Sequence, residues 1–343
     1  MSPADSLDSS DTRRDQLVAW LHALPARHAI EAESLQPASA DASFRRYFRL
    51  VAGTGTLIAM DAPPDKEDVR PFMHVARLLR DAGLNAPEVL EADPAQGFLL
   101  LTDLGRDTYL TVLNDSNAAA LFAEATEALL RWQQATRPGE LPPYDEALLR
   151  RELALFPDWY VARHLGMTLS ARQREVLDRM FGRIVAANLA QPTVYVHRDY
   201  MPRNLMVATP NPGILDFQDA VIGPVTYDLA SLFRDAFISW DEERVIDWSI
   251  RYWERARRAG LPVGDDFGVF WRDFEWMGLQ RHLKVLGIFA RINYRDGKPN
   301  YLADTPRFVK YVRTVAQRYD ELAPLARLFD ELEGVAVRVG YTF

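Results

Sequence analysis

Across residues 11–24 the apolar positions Leu17, Trp20, Leu21 and Leu24 recur at helical spacing and predict a first amphipathic helix behind a disordered tail of residues 1–10. The period then drops to two. In residues 44–52 Phe44, Arg46, Phe48 and Leu50 alternate with Arg45, Tyr47, Arg49 and Val51, and residues 54–62 follow a turn at Gly53-Thr54-Gly55, which predicts an antiparallel hairpin. Residues 68–83 return to helical spacing and stop at Gly83. Residues 87–105 give two further strands around Asp93-Pro94-Ala95-Gln96-Gly97. From Gly105 onward helices dominate. Leu121, Ala125, Leu129 and Trp132 form one stripe behind Ser116 and Asn117, while Ser170 and Gln173 form a capping-box signature ahead of Leu177, Met180, Phe181 and Ile184. One β-rich island, residues 192–220, interrupts the helices, and residues 228–330 resume helical periodicity rich in Trp and Phe. The pattern predicts an α+β chain with a small β-rich lobe over residues 11–104 and a larger, mainly helical lobe over residues 105–343.

Composition narrows the chemistry. The 343 residues suffice for two lobes with a sizeable core, and 48% hydrophobic with 26% charged residues is ordinary for a soluble globular chain. No apolar run approaches the roughly 20 residues that span a bilayer, and the acidic start lacks the apolar segment of a secretory signal, so a cytoplasmic location is expected. A net charge of -8 argues against a nucleic-acid or anionic-membrane partner. With no cysteine, disulfides, thiolate metal sites and cysteine nucleophiles are excluded. Only four lysines occur, Lys66, Lys284, Lys298 and Lys310, so arginine must serve where lysine commonly does.

The island carries the candidate chemistry. Residues 196–204 read Val-His-Arg-Asp-Tyr-Met-Pro-Arg-Asn. Phosphoryl transfer needs a carboxylate at the attacking hydroxyl, oxygen ligands for a divalent cation, and donors around the phosphates. His-Arg-Asp, then four residues, then Asn supplies the first two: Asp199 as base and Asn204 as metal ligand. Two short strands flanking Pro210-Asn211-Pro212-Gly213 form a metal-binding hairpin, residues 205–219, expected to return Asp216 beside Asn204. A sparse Asn/Asp pair suits a hard, oxygen-seeking ion such as Mg²⁺. His197, on a buried-looking strand end, reads as an organiser of loop 196–207 and, with Arg203, as a candidate substrate contact. Asp228 suits a helix N-terminus.

Together these segments resemble the aminoglycoside phosphotransferase and choline kinase family, small-molecule relatives of protein kinases. The matching runs are VHRDYMPRN, ILDFQDAVIGPVTYDLASL and PEVLEADPAQGFLLLTDLG. The resemblance implies a bilobal protein-kinase-like fold, ATP and Mg²⁺ as cofactors, and a hinge at about residues 100–105 where Thr102, Asp103 and Leu104 hold adenine. It also implies a lysine on the third strand, where this chain has Met60, and a partner glutamate on the next helix, where it has Met73 and His74. Arg45, Arg46 or Arg49, with Ser43 in the preceding loop, are the candidates to bind phosphate instead; an exposed strand face is the other reading of these arginines. DASFRRYFRL, LIAMDAPPDKEDVRPF and LQRHLKVLGIFARINYRDGK are further similar to family members that phosphorylate the anomeric C1 hydroxyl of N-acetylmuramate and N-acetylglucosamine. That likeness implies an amino-sugar substrate, a place in peptidoglycan recycling and a sugar-1-phosphate uridylyltransferase as pathway neighbour. Gln280, Arg281 and Lys284, in the expected substrate helices 228–330, suit hydroxyls, an acetamido group and a carboxylate. Kinases of choline, aminoglycosides, methylthioribose or homoserine, and a non-catalytic nucleotide-binding pseudokinase, stand as alternatives.

Overall fold

The structure is a computed structural model that describes residues 5–39 and 44–334. The chain divides into two compact units: residues 1–108 with 205–219, and residues 109–204 with 220–343.

The first unit is built on a five-stranded antiparallel sheet with spatial order β1-β2-β3-β5-β4. Its strands are β1 (Ile30–Ser39), β2 (Arg46–Ala52), β3 (Gly55–Asp61), β4 (Val89–Asp93) and β5 (Phe98–Thr102). The expected hairpin is β2–β3, closed by Gly53 at φ +59° and Thr54, with Arg46 opposite Asp61 and Tyr47 opposite Met60. Strand alternation puts Phe48, Leu50, Ala59, Phe98 and Leu100 on one face, where they meet Leu17 and Leu21 of helix α1 (Asp5–His22). That helix starts at Asp5, so residues 5–10, expected as tail, are helical. Strand β1 is an addition to the sequence reading. It is an edge strand carrying Pro37, and its pairing with β2 is irregular at two places.

Helix α2 (Val69–Asp81) follows its predicted span, with Asp68 accepting the Arg70 N–H at its start and Gly83 at φ +72° past its end. Gly97 is required by close approach: a Cβ there would lie 1.8 Å from the Ala62 carbonyl oxygen. The island hairpin, β7 (Leu205–Met206) with β8 (Gly213–Ile214), also belongs to this unit. The Ile214 N–H donates to Asn85 O at 2.7 Å, the Val207 N–H to Asp107 O at 2.8 Å, and Phe217 packs on Phe72.

The second unit is helical apart from β6 (Thr193–Val196), paired antiparallel with β9 (Val221–Pro224). Its helices are α3 (Tyr109–Val112), α4 (Ala118–Gln134), α5 (Glu146–Leu153), α6 (Ala171–Leu189), α7 (Tyr227–Phe233), α8 (Glu242–Arg258), α9 (Phe267–Asp296), α10 (Thr305–Arg318) and α11 (Ala323–Leu332), with a π-helix at Phe156–His164. The capping box of α6 is formed as the sequence predicts, and Leu177, Met180, Phe181 and Ile184 are buried. In α4 the buried stripe runs through Phe122 rather than Leu121, because Phe122 packs among Phe233, Trp240 and Trp248. The 30-residue α9 is the axis of this unit: from Phe274 to Gly287 every residue is buried. Gly287 lets it approach the π-helix segment, since a Cβ would lie 2.3 Å from the Leu155 carbonyl carbon. No helix among the described residues is long and apolar enough to cross a membrane.

Candidate active site

In the second unit, β6 delivers His197, Arg198 and Asp199 at its end. Asp228, in the first turn of α7, is fully buried and accepts the N–H groups of His197 at 2.7 Å and Arg198 at 2.9 Å. Its carboxylate thus tethers the loop instead of capping its own helix. Burial pushes its pKa up to about 7; the two N–H donors pull it down without cancelling that cost, and the charge of Asp199 adds to it. His197 is buried, and its Nδ1 accepts the Asp199 N–H at 3.3 Å, which makes the ring an internal strut. Asp199 itself is half-buried. The Asn204 Nδ2 donates to the Asp199 carbonyl at 2.9 Å. With its nitrogen committed as donor, the Asn204 amide offers oxygen chemistry to a cation. Arg203 lies with its guanidinium 5.1 Å from the Phe237 ring centre.

Beneath the loop sits a buried charge cluster that sequence reading missed. Glu152, on α5, receives the Arg198 guanidinium, the Lys284 ammonium at 2.9 Å and the Tyr144 hydroxyl. Burial raises the Glu152 pKa, but Lys284 and Arg198 outweigh it and hold the carboxyl below its ordinary value. Lys284 also donates to the Tyr227 hydroxyl at 3.1 Å. Gln280 donates to the Leu149 carbonyl at 3.0 Å, and Arg281 is 2% exposed, its charge acting on Asp228 and Asp235. The structure therefore places His197, Gln280, Arg281 and Lys284 in the interior of this unit. Lys284 is paired with Glu152 and Gln280 donates to Leu149, while Gln280 Oε1 and Arg281 Nη1 are buried without a hydrogen-bond partner among the described residues.

In the first unit, Asp216 has φ +61°, a left-handed conformation that aspartate tolerates better than most residues, and its Oδ1 accepts the Gln218 amide at 2.9 Å. A carboxylate and an amide oxygen are the donor types a hard divalent ion selects, so Asp216 and Asn204 fit that ion chemically. Met60 stands fully buried opposite Tyr47 and Leu99, where the resemblance implies lysine. Two candidate phosphate arginines are already engaged. Arg46, on the α1 face of the sheet, donates to the buried Asp61, which Arg13 also binds. Arg49 grips Asp103 through Nε and Nη2 and reaches the Gly105 carbonyl. Asp103 also accepts from Thr56 and from the Gly105 N–H; burial raises its pKa, but these partners bring it below the ordinary value. Its side chain is a lock on the 102–105 segment. Thr102 closes β5, its hydroxyl accepting the Glu88 N–H, and Leu104 packs against Gly213. Arg45, one residue before β2, has its Nε 3.9 Å from Glu67. Ser43 lies outside the described residues.

A profile of the phosphotransferase enzyme family matches residues 34–262, which span the loop, its tethering aspartate and the hairpin. The chain belongs to the phosphotransferase enzyme family. This phosphotransferase is 53% identical over 331 residues to an N-acetylmuramate/N-acetylglucosamine kinase of Pseudomonas aeruginosa, covering 94% of this chain and 98% of the relative. Its fold is shared with a choline/ethanolamine kinase family protein from Mesorhizobium loti, at TM-score 0.60 and 17% identity over 93% of this chain and 99% of the other. It is shared too with the amicoumacin kinase hAmiN, solved with AMP-PNP and Ca²⁺, at TM-score 0.63 and 14% identity over 89% and 95%. The expected protein-kinase-like α+β fold is thus borne out, and the phosphotransferase is an enzyme acting on a hydroxyl acceptor.

Proposed function

We propose that the protein transfers the γ-phosphoryl group of ATP to the C1 hydroxyl of N-acetylmuramate and N-acetylglucosamine, in the cytoplasm, as a step of peptidoglycan recycling. The observation that carries this reading is the 53% identity, over nearly the whole of both chains, to a kinase named for those two sugars. The loop geometry supports the phosphotransfer half of it. Asp199 accepts the proton of the anomeric hydroxyl as its oxygen bonds to phosphorus and the bond from phosphorus to ADP breaks. The Asp228 tether and the His197 strut keep Asp199 in one place while this happens. Asn204 and Asp216 would hold the divalent cation, Mg²⁺ in the cell, which would supply positive charge to neutralise the phosphates. Backbone groups of Thr102 to Leu104 hold adenine.

Arg45 replaces the missing lysine in this reading. Strand alternation continues the Tyr47 and Met60 face to it. The product, a sugar 1-phosphate, suits a uridylyltransferase as the next enzyme.

The test is ATP turnover against N-acetylmuramate, N-acetylglucosamine, choline and kanamycin, with NMR locating the new phosphate. The expected result is Mg²⁺-dependent phosphate on C1 of the two amino sugars. A different best acceptor refutes the substrate, and no ATP consumption with any acceptor favours a pseudokinase. Asp199→Asn is expected to lower turnover by about 10²–10⁴-fold; a wild-type yield from it sinks the base assignment.

A further inference from the structure

Arg198 sits between the strut and the base with φ +75°, a conformation that residues with a Cβ rarely adopt and glycine adopts freely. Something must hold an arginine there. One hold is the Asp228 carboxylate, which takes the backbone N–H groups of His197 and Arg198. The other is the side chain's own anchor: the guanidinium reaches Glu152 on α5, 5.8 Å from the centre of the Tyr144 ring. Glu152 is 5% exposed and is fixed in turn by Lys284 and by the Tyr144 hydroxyl. Two cations on one buried carboxylate leave it no cheap way to let go, because a released guanidinium would be stranded in a partly buried site. The charges facing this pair are Asp199 and Asp228 on the loop side and Lys284 on α9.

We propose that Glu152 is a positioning residue, which clamps Arg198 in the left-handed conformation and so sets the direction of Asp199, the next residue in the chain. The role rests on the reading of Asp199 as the base. It implies that the guanidinium is needed for its grip on Glu152 and has no contact with the reacting atoms.

Four variants test this: Arg198→Gly, Arg198→Ala, Glu152→Gln, and Glu152→Gln combined with Arg198→Gly. Both single Arg198 changes remove the ion pair, but only glycine keeps easy access to positive φ. Arg198→Gly is expected to hold kcat within about threefold of wild type, and Arg198→Ala to lose about five- to thirtyfold, the range set by the left-handed cost for a residue with a Cβ. KM for ATP and sugar should stay within about twofold in both. Glu152→Gln should lose kcat by a similar factor, and adding Arg198→Gly should recover the level of Arg198→Gly alone. Equal losses for the glycine and alanine variants overturn the proposal, since the guanidinium would then act directly. A Glu152→Gln loss that persists in the glycine background overturns it as well. Should Glu152→Gln fail to fold, the glycine–alanine comparison decides alone. Wild-type protein that turns over neither sugar removes the functional reading itself, and a wild-type rate in Asp199→Asn removes the base; both are distinct from a failed rescue.

Discussion

Asp228→Asn separates stability from activity, with opposite signs for the two. The wild-type carboxyl is fully buried and its pKa is pushed up from the ordinary 3.8 to about 7. A carboxyl with a raised native pKa costs stability as pH rises: the penalty is absent below the unfolded value, grows from about pH 4 and is complete above about pH 7. A rise of that size corresponds to about 4 kcal/mol at pH 8. Asparagine removes that charge. It also turns an NH₂ toward one of two N–H groups that the carboxylate accepts at 2.7 and 2.9 Å, a loss of about 1–3 kcal/mol. The net expectation is a variant roughly level with wild type at pH 5 and about 1–3 kcal/mol more stable at pH 8. Urea melts at pH 5 and 8 measure this as a difference between proteins, in which the buried Asp235, raised by the same cause, cancels. Meanwhile kcat should fall about tenfold or more, because the N–H of Arg198 or His197 no longer fixes the loop. A stability difference that is flat between pH 5 and 8, or a variant that melts well below wild type at pH 8, refutes the account of Asp228.

Arg45→Ala is expected to raise the KM for ATP about tenfold with little change in melting, whereas Arg46→Ala should leave KM alone and cost about 1–3 kcal/mol, since Asp61 is fully buried and keeps only part of its pairing. Steady-state kinetics beside thermal melts distinguish the two. Gly287→Ala forces a Cβ onto Leu155 backbone atoms and should cost about 1–3 kcal/mol or prevent folding, read as lost soluble yield or a lower melting midpoint. Ser170→Ala removes the formed capping box of α6 and should cost about 1 kcal/mol in a urea melt, with kcat untouched.

The sequence was legible wherever local rules act. The β2–β3 turn, the span of α2 and the capping box are all set by neighbours within a few residues, and each lies where periodicity and turn chemistry predict. Strand β1 escaped because Ala32 and Leu35, its buried residues, are an odd number of places apart, a spacing that its bulged pairing permits but simple alternation does not. The arginine partners escaped for a different reason. Asp103 lies 54 positions from Arg49 and Glu152 lies 46 from Arg198, so nothing local announces either pair. Gln280, Arg281 and Lys284 looked like a substrate-facing cluster because polar residues on a helix usually mark its outer side. In α9 no such side exists over that stretch, and internal groups answer part of the polarity, as Leu149 does for Gln280 and Glu152 for Lys284. Asp228 lies in the first turn of its helix as expected, but nothing local announced that its carboxylate also reaches across to the loop.

The division of the chain bears on how such enzymes can be recombined. Because residues 205–219 belong with residues 1–108, the first unit is not one continuous cassette. A crossover at residue 108 alone would seat a foreign hairpin on Asn85, Asp107 and Thr108, whose backbone bonds to Ile214, Val207 and Met206 were shaped together. Exchange between relatives must therefore carry two inserts, one at the amino end and one of fifteen residues deep in the chain.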